Sequence, residues 1–351
     1  MATIKDVAAL AGVGMSTASR AISGKGPISA DAAARVQAAI EALNFRPSSI
    51  GRAMATQSLG MIGIFVPTFF GSYYGTILKQ TDTELRAVHR HVVVATGCGD
   101  VSPREQAIEA VRFLIDRDCD GVLVISHDLH DEDLIMLQRL HPKMAFLNRG
   151  FAQVPEASFC ADHWHGGELA ARTLLDHGHR QIAVISGPFT ASDNEARLGG
   201  FFAELARDGI ARDDVILIES DFSPEGGYVS AQKLLDLQQP FTAVFCANDT
   251  MAVSVLARLH QSGIDVPKDV SVIGYDDDYS ADYTAPGLTS VHIPTAELTQ
   301  NAVRWLVNQC YRTTWEIFRE FPVSVTMRGS VGPAPGATGA SLKAGQAGSD
   351  S

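Results

Sequence analysis

Hydrophobic positions in the first fifty residues repeat with the spacing of short α-helices. One apolar set spans residues 4–11 and a second spans 15–22, and Gly12 stands between them where a helix C-cap needs a left-handed backbone. A third set, at 30–43, follows Ser29, a residue type that caps helix N-termini. Two short helices joined by a tight turn containing glycine predict a helix-turn-helix, whose second helix fits the DNA major groove.

After residue 60 the pattern changes to short, continuous apolar runs separated by stretches of helical length. Runs of β-branched residues that alternate with helices are typical of parallel strands buried on both faces. The rhythm restarts after Asp162, so we expect a small all-α head and an α/β body of two doubly wound parallel-sheet halves. The predicted strands are 61–66, 91–95, 121–125, 145–147, 182–185, 215–218, 243–246 and 270–274. The predicted helices between them include 77–88, 105–117 and 166–177.

Two further segments show neither pattern. Pro47 breaks the helical pattern after the third helix, and the short stretch that follows cannot form a stable isolated helix. Residues 331–351 are rich in Gly, Ala and Ser, which predicts a disordered tail. The sequence therefore predicts a head at 1–46, a linker at 47–59 and a two-lobed body at 60–330, followed by the tail.

The charges are unevenly distributed along the chain. The net charge is −12 over 351 residues, yet residues 1–60 hold six basic and three acidic side chains, a net of +3. The remainder therefore carries −15. Because Lys and Arg neutralise phosphates regardless of base sequence, a basic head on an acidic body suits a protein that binds DNA through its head alone.

Several absent patterns narrow the protein class. No charged N-terminal region precedes a long apolar run, so we expect no signal peptide, no membrane span and a cytoplasmic location. The five scattered cysteines are typical of reduced core residues. There is no CxxC, HExxH, P-loop or GxSxG pattern and no GxGxxG after a strand, so we expect no metal, no cofactor and no enzyme activity.

The second short helix offers side chains for contact with DNA. Packing of the hairpin leaves five of them partly outward: Met15, Ser16, Thr17, Ser19 and Arg20. Arg20 can form a bidentate pair with guanine, which discriminates by roughly 1 to 3 kcal/mol, and the hydroxyls can bond to bases or phosphates. From spacing alone, a helical hairpin with a merely solvated polar face is the alternative.

Three motifs in the head carry a family resemblance: Thr3-Ile4-Lys5-Asp6-Val7-Ala8, Ala11-Gly12-Val13 and Ser16-Thr17-Ala18-Ser19-Arg20. They resemble the opening of the lactose/galactose repressor family of bacterial transcription factors, and the resemblance extends over about residues 2 to 330. It implies that Met15, Ser16 and Arg20 read the operator, and Thr3 and Lys5 are further candidate DNA contacts. The chain departs from the family at Gly14, usually Ser, at Ala18, usually Val, and at 31–36, which lacks the usual Thr-Arg pair.

The resemblance also implies roles for two connecting segments. The segment matching 48–55 is a hinge helix in the family, and it folds on operator DNA and inserts an apolar side chain into the minor groove. The matching residue is Met54, and methionine is one of the side chains that act as such wedges. From the residues alone, a plain linker is preferred. The family further implies that 295–329 crosses back to an N-half of about 60–161, leaving a C-half of about 162–292, as in periplasmic sugar-binding proteins.

Polar residues follow several predicted strands. Ligands of such folds bind at the carboxyl ends of strands, where the two halves meet. Asn148, Asp162, Asn248 and Asp276 stand at such ends, and Arg197 and Phe222 are further candidates. Paired hydrogen-bonding groups and one aromatic face suit a polyhydroxylated ring. Asp and Asn after strands are also ordinary turn residues and helix caps.

The family resemblance strengthens the ligand interpretation. The effector contacts it implies are Tyr73 or Tyr74, Asn148, Arg197, Phe222, Asn248 and Asp276. The segments 146–149 and 192–198 are most similar to the galactose repressor branch, whereas purine-binding relatives have an Asp-Trp pair at 148–149. A hexose or related sugar is therefore favoured over a nucleobase.

These observations together predict a homodimeric repressor that binds palindromic double-stranded operator DNA and is released by a sugar. A sugar-responsive activator, or a corepressor-dependent regulator that uses a metabolite such as a nucleobase, is the alternative. Two further alternatives are proteins of other functional classes. An enzyme could use Asp193, Asp249, Asp276 or His292 for acid/base chemistry, and the missing motifs count against it. A free periplasmic sugar-binding protein would have no DNA-binding head.

Overall fold

Three short helices form the head in the computed structural model, which describes residues 2–23, 26–45, 58–97, 99–151 and 153–336. They are α1 (Ile4–Ala11), α2 (Met15–Ser23) and α3 (Ala30–Ala42). Gly12 ends α1 with a left-handed φ of 62° and Ser29 caps α3, as predicted. Val7 and Val36 pack in the centre of the head, whereas Leu10, which shares the apolar period, is 57% exposed.

The first lobe contains a parallel five-stranded sheet in the order β2-β1-β3-β4-β5. Its strands are β1 (Met61–Phe65), β2 (His91–Ala95), β3 (Gly121–Val124), β4 (Met144–Leu147) and β5 (Ser158–Phe159). Its helices are α4 (Ser72–Ala87), α5 (Pro103–Asp116) and α6 (Asp131–Leu140). This strand order is one of the common doubly wound arrangements, so the first predicted half is confirmed.

The second lobe contains a six-stranded sheet in the order β11-β10-β9-β8-β6-β7. Its strands are β6 (Ile182–Ser186), β7 (Ile216–Glu219), β8 (Ala243–Cys246), β9 (Ser271–Asp276), β10 (Thr289–His292) and β11 (Ser324–Thr326). Its helices are α7 (His163–Asp176), α8 (Ser192–Arg207), α9 (Pro224–Asp236) and α10 (Asp249–Gln261). The sheet is parallel except for β11, which pairs antiparallel with β10.

The described chain passes between the lobes at three places. It leaves the first lobe between β5 and α7, and it returns after β10 through α11 (Thr295–Tyr311), which packs on α4 and the first sheet. It then crosses a third time to β11 in the second sheet. The expectation that all of 295–329 joins the first half is therefore wrong for its last part, because β11 satisfies its backbone groups by pairing with β10.

The predicted disordered tail begins too early in the sequence. Val331 is only 7% exposed, and the N–H of Gly332 donates a hydrogen bond to Ser271 Oγ at 3.0 Å. The carbonyl of Gly332 accepts one from His179 Nε2 at 3.0 Å. Residues 331–336 therefore belong to the second lobe. Residues 337–351, and the predicted hinge residue Met54, lie outside the described residues.

Helices α7 and α8 approach each other with their backbones in contact. A Cβ atom on Gly167 would overlap the carbonyl oxygen of Arg197, and one on Gly200 would overlap that of Trp164. Only glycine permits such an approach. The contact fixes the position of α8, and therefore of Arg197, against the rest of the second lobe. None of the described helices is long and apolar enough to cross a membrane.

Candidate functional site

A cavity of about 700 Å³ lies between the two lobes, at the carboxyl ends of their strands. This volume lies within the range of small-molecule sites. Most of the predicted effector residues line the cavity: Tyr73, Tyr74, Asn148, Arg197, Phe222, Asn248 and Asp276. Asp162 does not. Its side chain is exposed and accepts the N–H of His165 at 2.9 Å as the N-cap of α7, so it has the helix-capping role that such residues commonly take.

Arg197 is the buried cation at the centre of the cavity wall, with only 3% of its surface exposed. It donates to Asp193 Oδ2 at 2.8 Å, lies 3.9 Å from Asp276 Oδ1 and donates to the carbonyl of Ala247. Its guanidinium carbon lies 4.2 Å from the ring centroid of Tyr275. Burial alone would lower the pKa of Arg197, but the two carboxylates raise it above its ordinary value. Arg197 therefore stays charged and orders the acidic groups around it.

The two carboxyls beside Arg197 differ in their ionisation. Burial opposes the ionisation of Asp193, yet the adjacent guanidinium holds its pKa below the ordinary value. Burial raises the pKa of Asp276 to about 7, against the lowering by Arg197, and the charges of Asp278 and Asp193 add to the rise. At neutral pH, Asp193 is thus a pure hydrogen-bond acceptor, whereas Asp276 exchanges between acceptor and donor.

Asn148 connects the lobes across the cavity. It follows β4 in the first lobe with a left-handed φ of 59°, which asparagine tolerates better than most residues. Its Nδ2 donates to Asp193 Oδ2 at 3.1 Å, and its Oδ1 lies 2.6 Å from His163 Nε2, both in the second lobe. His163 Nδ1 lies 3.0 Å from the hydroxyl of Tyr275. Burial lowers the pKa of His163 to about 3, so a neutral imidazole donates to Asn148 and accepts from Tyr275.

Phe222 and Asn248 form part of the second-lobe wall. A Cβ on Gly187 would overlap the ring of Phe222, so the ring lies directly over that glycine. Asn248 Oδ1 accepts the N–H of Met251 at 2.9 Å and caps α10, while its Nδ2 donates to the carbonyl of Phe222 at 3.0 Å. Asn248 is therefore both a helix cap and a lining residue, and it holds the loop that carries the aromatic ring.

The first-lobe wall is aromatic. Tyr73 and Tyr74, in the first turn of α4, meet edge to face with ring centroids 5.2 Å apart. Burial and the nearby carboxylates raise the pKa of both hydroxyls, which therefore stay protonated and available as donors. His127, after β3, contacts Phe222 of the second lobe edge to face, with ring centroids 5.9 Å apart. Aromatic rings of both lobes thus line the cavity.

Sequence reasoning missed part of this arrangement. The sequence suggests Asp193 only as a candidate enzyme residue, and it does not predict His163, Tyr275 or His127 as site residues. His163 follows Asp162 and Tyr275 precedes Asp276, so both are neighbours of predicted positions. Their importance depends on contacts between distant segments, such as Asn148 with His163, which no local pattern shows.

The head presents its predicted contact residues on one surface. Met15 is 56% exposed, Ser16, Ser19 and Arg20 are exposed, and Thr17 is half-buried, while Ala18 between them is buried. Arg20 Nε donates to the carbonyl of Ser16 at 3.2 Å, which extends the side chain along α2.

Two other predicted contacts stand at the start of α1. The hydroxyl of Thr3 caps α1 in a reciprocal box with Asp6, so Thr3 has a structural role as well. Lys5 is exposed beside it.

Comparison with known proteins identifies the kind of molecule that carries these two sites. Family models match residues 3–48, as bacterial regulatory proteins of the lacI family, and residues 171–331, as a periplasmic binding protein-like domain. The HTH-type transcriptional regulator GalR of Escherichia coli (strain K12) is 33% identical over 332 residues, covering 94% of this chain and 96% of that one. The chain belongs to the lacI family of bacterial regulatory proteins.

Solved structures of other lacI-family proteins share this fold. A transcriptional regulator of the family from Burkhoderia phymatum is 78% identical, with a TM-score of 0.77, over 78% of this chain and 99% of that one. The lac repressor dimer bound to operator and the anti-inducer ONPF is 28% identical, with a TM-score of 0.82, over 94% of this chain and 99% of that one. This lacI-family chain is accordingly a DNA-binding transcriptional regulator with a small-molecule effector site.

The cavity of this lacI-family regulator offers hydrogen-bonding groups rather than metal ligands. No group of three or more His, Cys, Asp or Glu side chains in the described part of the chain could hold a metal ion. The polar groups of the cavity are instead arranged around Arg197, with aromatic rings to either side.

Proposed function

We propose that this lacI-family regulator is a homodimeric repressor of the cytoplasm, which a sugar releases from a palindromic operator. The proposal includes no enzyme activity and no cofactor. The observation that carries it is the cavity between the lobes, in which Asp193, Arg197 and Asp276 form one continuous polar group under the ring of Phe222.

The chemistry of that group favours a polyhydroxylated ligand. Adjacent hydroxyls of a sugar ring each donate and accept, so they pair with a carboxylate and a guanidinium side by side. The aromatic ring covers the C–H face of such a ligand. Asn148 and Tyr74 of the first lobe complete the site, and a bound sugar would therefore contact both lobes at once.

We assign recognition of the operator sequence to the head. Met15, Ser16 and Arg20 would contact base edges, with Lys5, Thr17 and Ser19 at phosphates or bases, and Met54 would enter the minor groove as a wedge. Two such heads on a two-fold axis read a palindrome. The relative GalR is named as a transcriptional regulator, and the lac repressor structure is of a dimer on its operator, which supports the same arrangement here.

Release by sugar requires that the ligand favour one relative position of the lobes. That position would separate the two linkers and lower the affinity of the paired heads for DNA. Coupling of this kind is reciprocal and typically amounts to about 1 to 3 kcal/mol, or roughly 5- to 150-fold in affinity.

The test begins with an operator chosen by the protein itself. Selection of sequences from a random duplex pool by the purified full chain should enrich a palindrome. Fluorescence anisotropy on that duplex, with sugars and purines added in turn, should show release by a sugar. Tighter binding with a purine would support the corepressor alternative, and consumption of the sugar would support an enzyme.

A further inference from the structure

The charges that line the effector cavity are almost all negative. Its carboxyl groups are Asp128, Asp193, Asp221, Glu225 and Asp276, of which Asp276 has a pKa of about 7. Arg197 is the only Lys or Arg side chain among the described lining residues. Asp193 and Asp276 already flank that guanidinium, and the carbonyl of Ala247 accepts from it. The cavity therefore offers no uncompensated cation to a phosphate or carboxylate group.

Cations close to the lining are also paired. Arg104, next to the lining residue Pro103, donates to Glu132 at 2.5 Å and to Asp133 at 2.8 Å. Arg149, next to Asn148, donates to Asp131 at 2.7 Å and to the carbonyl of Leu129. Recruiting either to an anionic ligand would break these ion pairs. An anion would thus enter a negative field with no compensation.

Helix N-termini at the cavity do not reverse this balance. First turns of five helices line the cavity, and a helix N-terminus ordinarily attracts anions. Three of the five already hold a carboxylate in that turn: Glu105 in α5, Asp193 in α8 and Glu225 in α9. These carboxylates occupy the favourable end of their helix dipoles. In α10, the side chain of Asn248 already accepts the N–H of Met251.

The volume of the cavity exceeds that of a single sugar ring. One water molecule occupies about 30 Å³ in the liquid. Even if each of the roughly 12 non-hydrogen atoms of a hexose occupied that volume, the hexose would fill only about 360 Å³. Because bonded atoms lie closer together than water molecules do, this figure is an upper limit. The roughly 23 atoms of a disaccharide fill at most about 690 Å³ on the same basis, so two rings fit. The cavity measures about 700 Å³, and Pro67, Phe70, Pro103 and Pro188 extend its apolar walls beyond the Arg197 centre.

We infer that the effector is an uncharged saccharide of two rings, and that the cavity discriminates against sugar phosphates and sugar acids. One ring lies at Arg197 under Phe222, and the second lies toward the prolines and Phe70. This inference rests on the proposed sugar-responsive function and narrows its ligand class.

The experiment is a binding panel on the purified full chain. Thermal shift followed by titration calorimetry uses lactose, melibiose, maltose, cellobiose, trehalose and sucrose, with galactose, glucose, fructose, galactose 6-phosphate and trehalose 6-phosphate. Galacturonic acid, adenine and guanine complete the panel. Ligand stabilisation grows with concentration over Kd, so the ranking follows directly. We expect a neutral disaccharide to bind at least tenfold more tightly than either component hexose and than any phosphate in the panel.

Charge variants test the reason for the discrimination. Asp128→Asn combined with Glu225→Gln should raise the affinity for the sugar phosphates several-fold more than for the neutral sugar. Glu109→Gln, an exposed change on the outer side of α5, should leave that ratio unchanged. Higher salt should also reduce the discrimination in the unmodified protein, because exposed charges are screened.

Each outcome has a distinct meaning. A hexose or a sugar phosphate as the tightest ligand would overturn this inference and leave a sugar-responsive repressor intact. A purine as the tightest ligand, or no stabilisation by any saccharide, would overturn the proposed function as well.

Discussion

Asp193 and Asp276 share one guanidinium yet have opposite pKa shifts. The pKa of Asp193 lies below its ordinary value because of Arg197, while burial raises that of Asp276 to about 7. Between about pH 4 and pH 7 the folded protein therefore holds a proton on Asp276 that the unfolded chain has lost. By linkage, this carboxyl lowers stability as the pH rises through that window, and its effect is constant above it.

Sugar binding should depend on pH for the same reason. Ionised Asp276 accepts hydrogen bonds from two hydroxyls, so affinity should rise between pH 6 and pH 8, by at most about tenfold per unit, with release of a proton. Calorimetry in buffers of different ionisation enthalpy measures both effects. Asp276→Asn should bind more weakly and without pH dependence. A flat profile in the unmodified protein would contradict the role of Asp276.

Arg20 is the head residue on which base recognition should depend most. Arg20→Ala should remove specific operator binding, since a bidentate contact to a base contributes roughly 1 to 3 kcal/mol of discrimination. Arg20→Lys keeps the charge but not the fork, so it should bind DNA with little sequence preference. Anisotropy against operator and scrambled duplexes distinguishes the two. Equal operator affinity in Arg20→Ala and the unmodified protein would exclude the assigned contact.

Single residues differ in how much of their role the sequence reveals. Strand-end position predicts Asp276 and the family resemblance predicts Arg197, and both line the cavity. The same rule failed for Asp162, which only caps α7. His163 had no sequence signal, because its partners Asn148 and Tyr275 are separated from it along the chain and meet it only after folding.

The backbone contact between α7 and α8 positions the cavity's cation. Gly200→Ala should push the helices apart, since its Cβ would overlap the carbonyl oxygen of Trp164, and overpacking of this kind typically costs about 1 to 3 kcal/mol. Displacement of α8 moves Arg197 as well, so sugar affinity should fall together with the free energy of unfolding. Urea denaturation and calorimetry measure the two quantities.

Gly75→Ala provides the matched control. Gly75 also lies in a helix, α4, but a Cβ there would meet nothing within 4 Å. That change should be neutral or slightly stabilising, because alanine favours helix by up to about 1 kcal/mol over glycine. If Gly200→Ala behaved like Gly75→Ala, the close approach would not be what fixes Arg197.

Secondary-structure elements were predicted best where the apolar run was long. β1, β2, β8 and β9 are four to six residues long and mostly apolar. β5, β10 and β11 have two to four residues with polar members, and only pairing with a neighbour defines them. Residues 331–336 were misassigned for the same reason, since their order comes from contacts with Ser271 and His179 rather than from composition.

Asp120 joins the end of the linker to the body. Its carboxylate accepts hydrogen bonds from Ser58 Oγ at 2.7 Å, from the N–H of Gly60 at 2.8 Å and from the hydroxyl of Tyr311 at 2.8 Å. Tyr311 ends α11, the helix that returns from the second lobe. The Asp120 carboxylate thus connects the end of the linker to α11, the helix through which the chain returns to the first lobe.

Loss of this link should separate sugar binding from DNA release. Asp120→Ala should bind sugar with unchanged affinity but respond with less than the roughly fivefold change in operator affinity that marks ordinary coupling. Asp116→Ala, an exposed acidic change nearby at the end of α5, should respond normally. Parallel operator titrations with and without sugar give the result. Full release in Asp120→Ala would show that the lobes signal to the head by another route.

The account as a whole requires that the head and the cavity act on one another. The decisive measurement is a pair of titrations on the full chain: operator affinity with and without saturating sugar, and sugar affinity with and without operator. We predict that both affinities fall by the same factor, within roughly 5- to 150-fold, because coupling between two sites is reciprocal. Equal sugar affinity for the free and the operator-bound protein would contradict a sugar-released repressor.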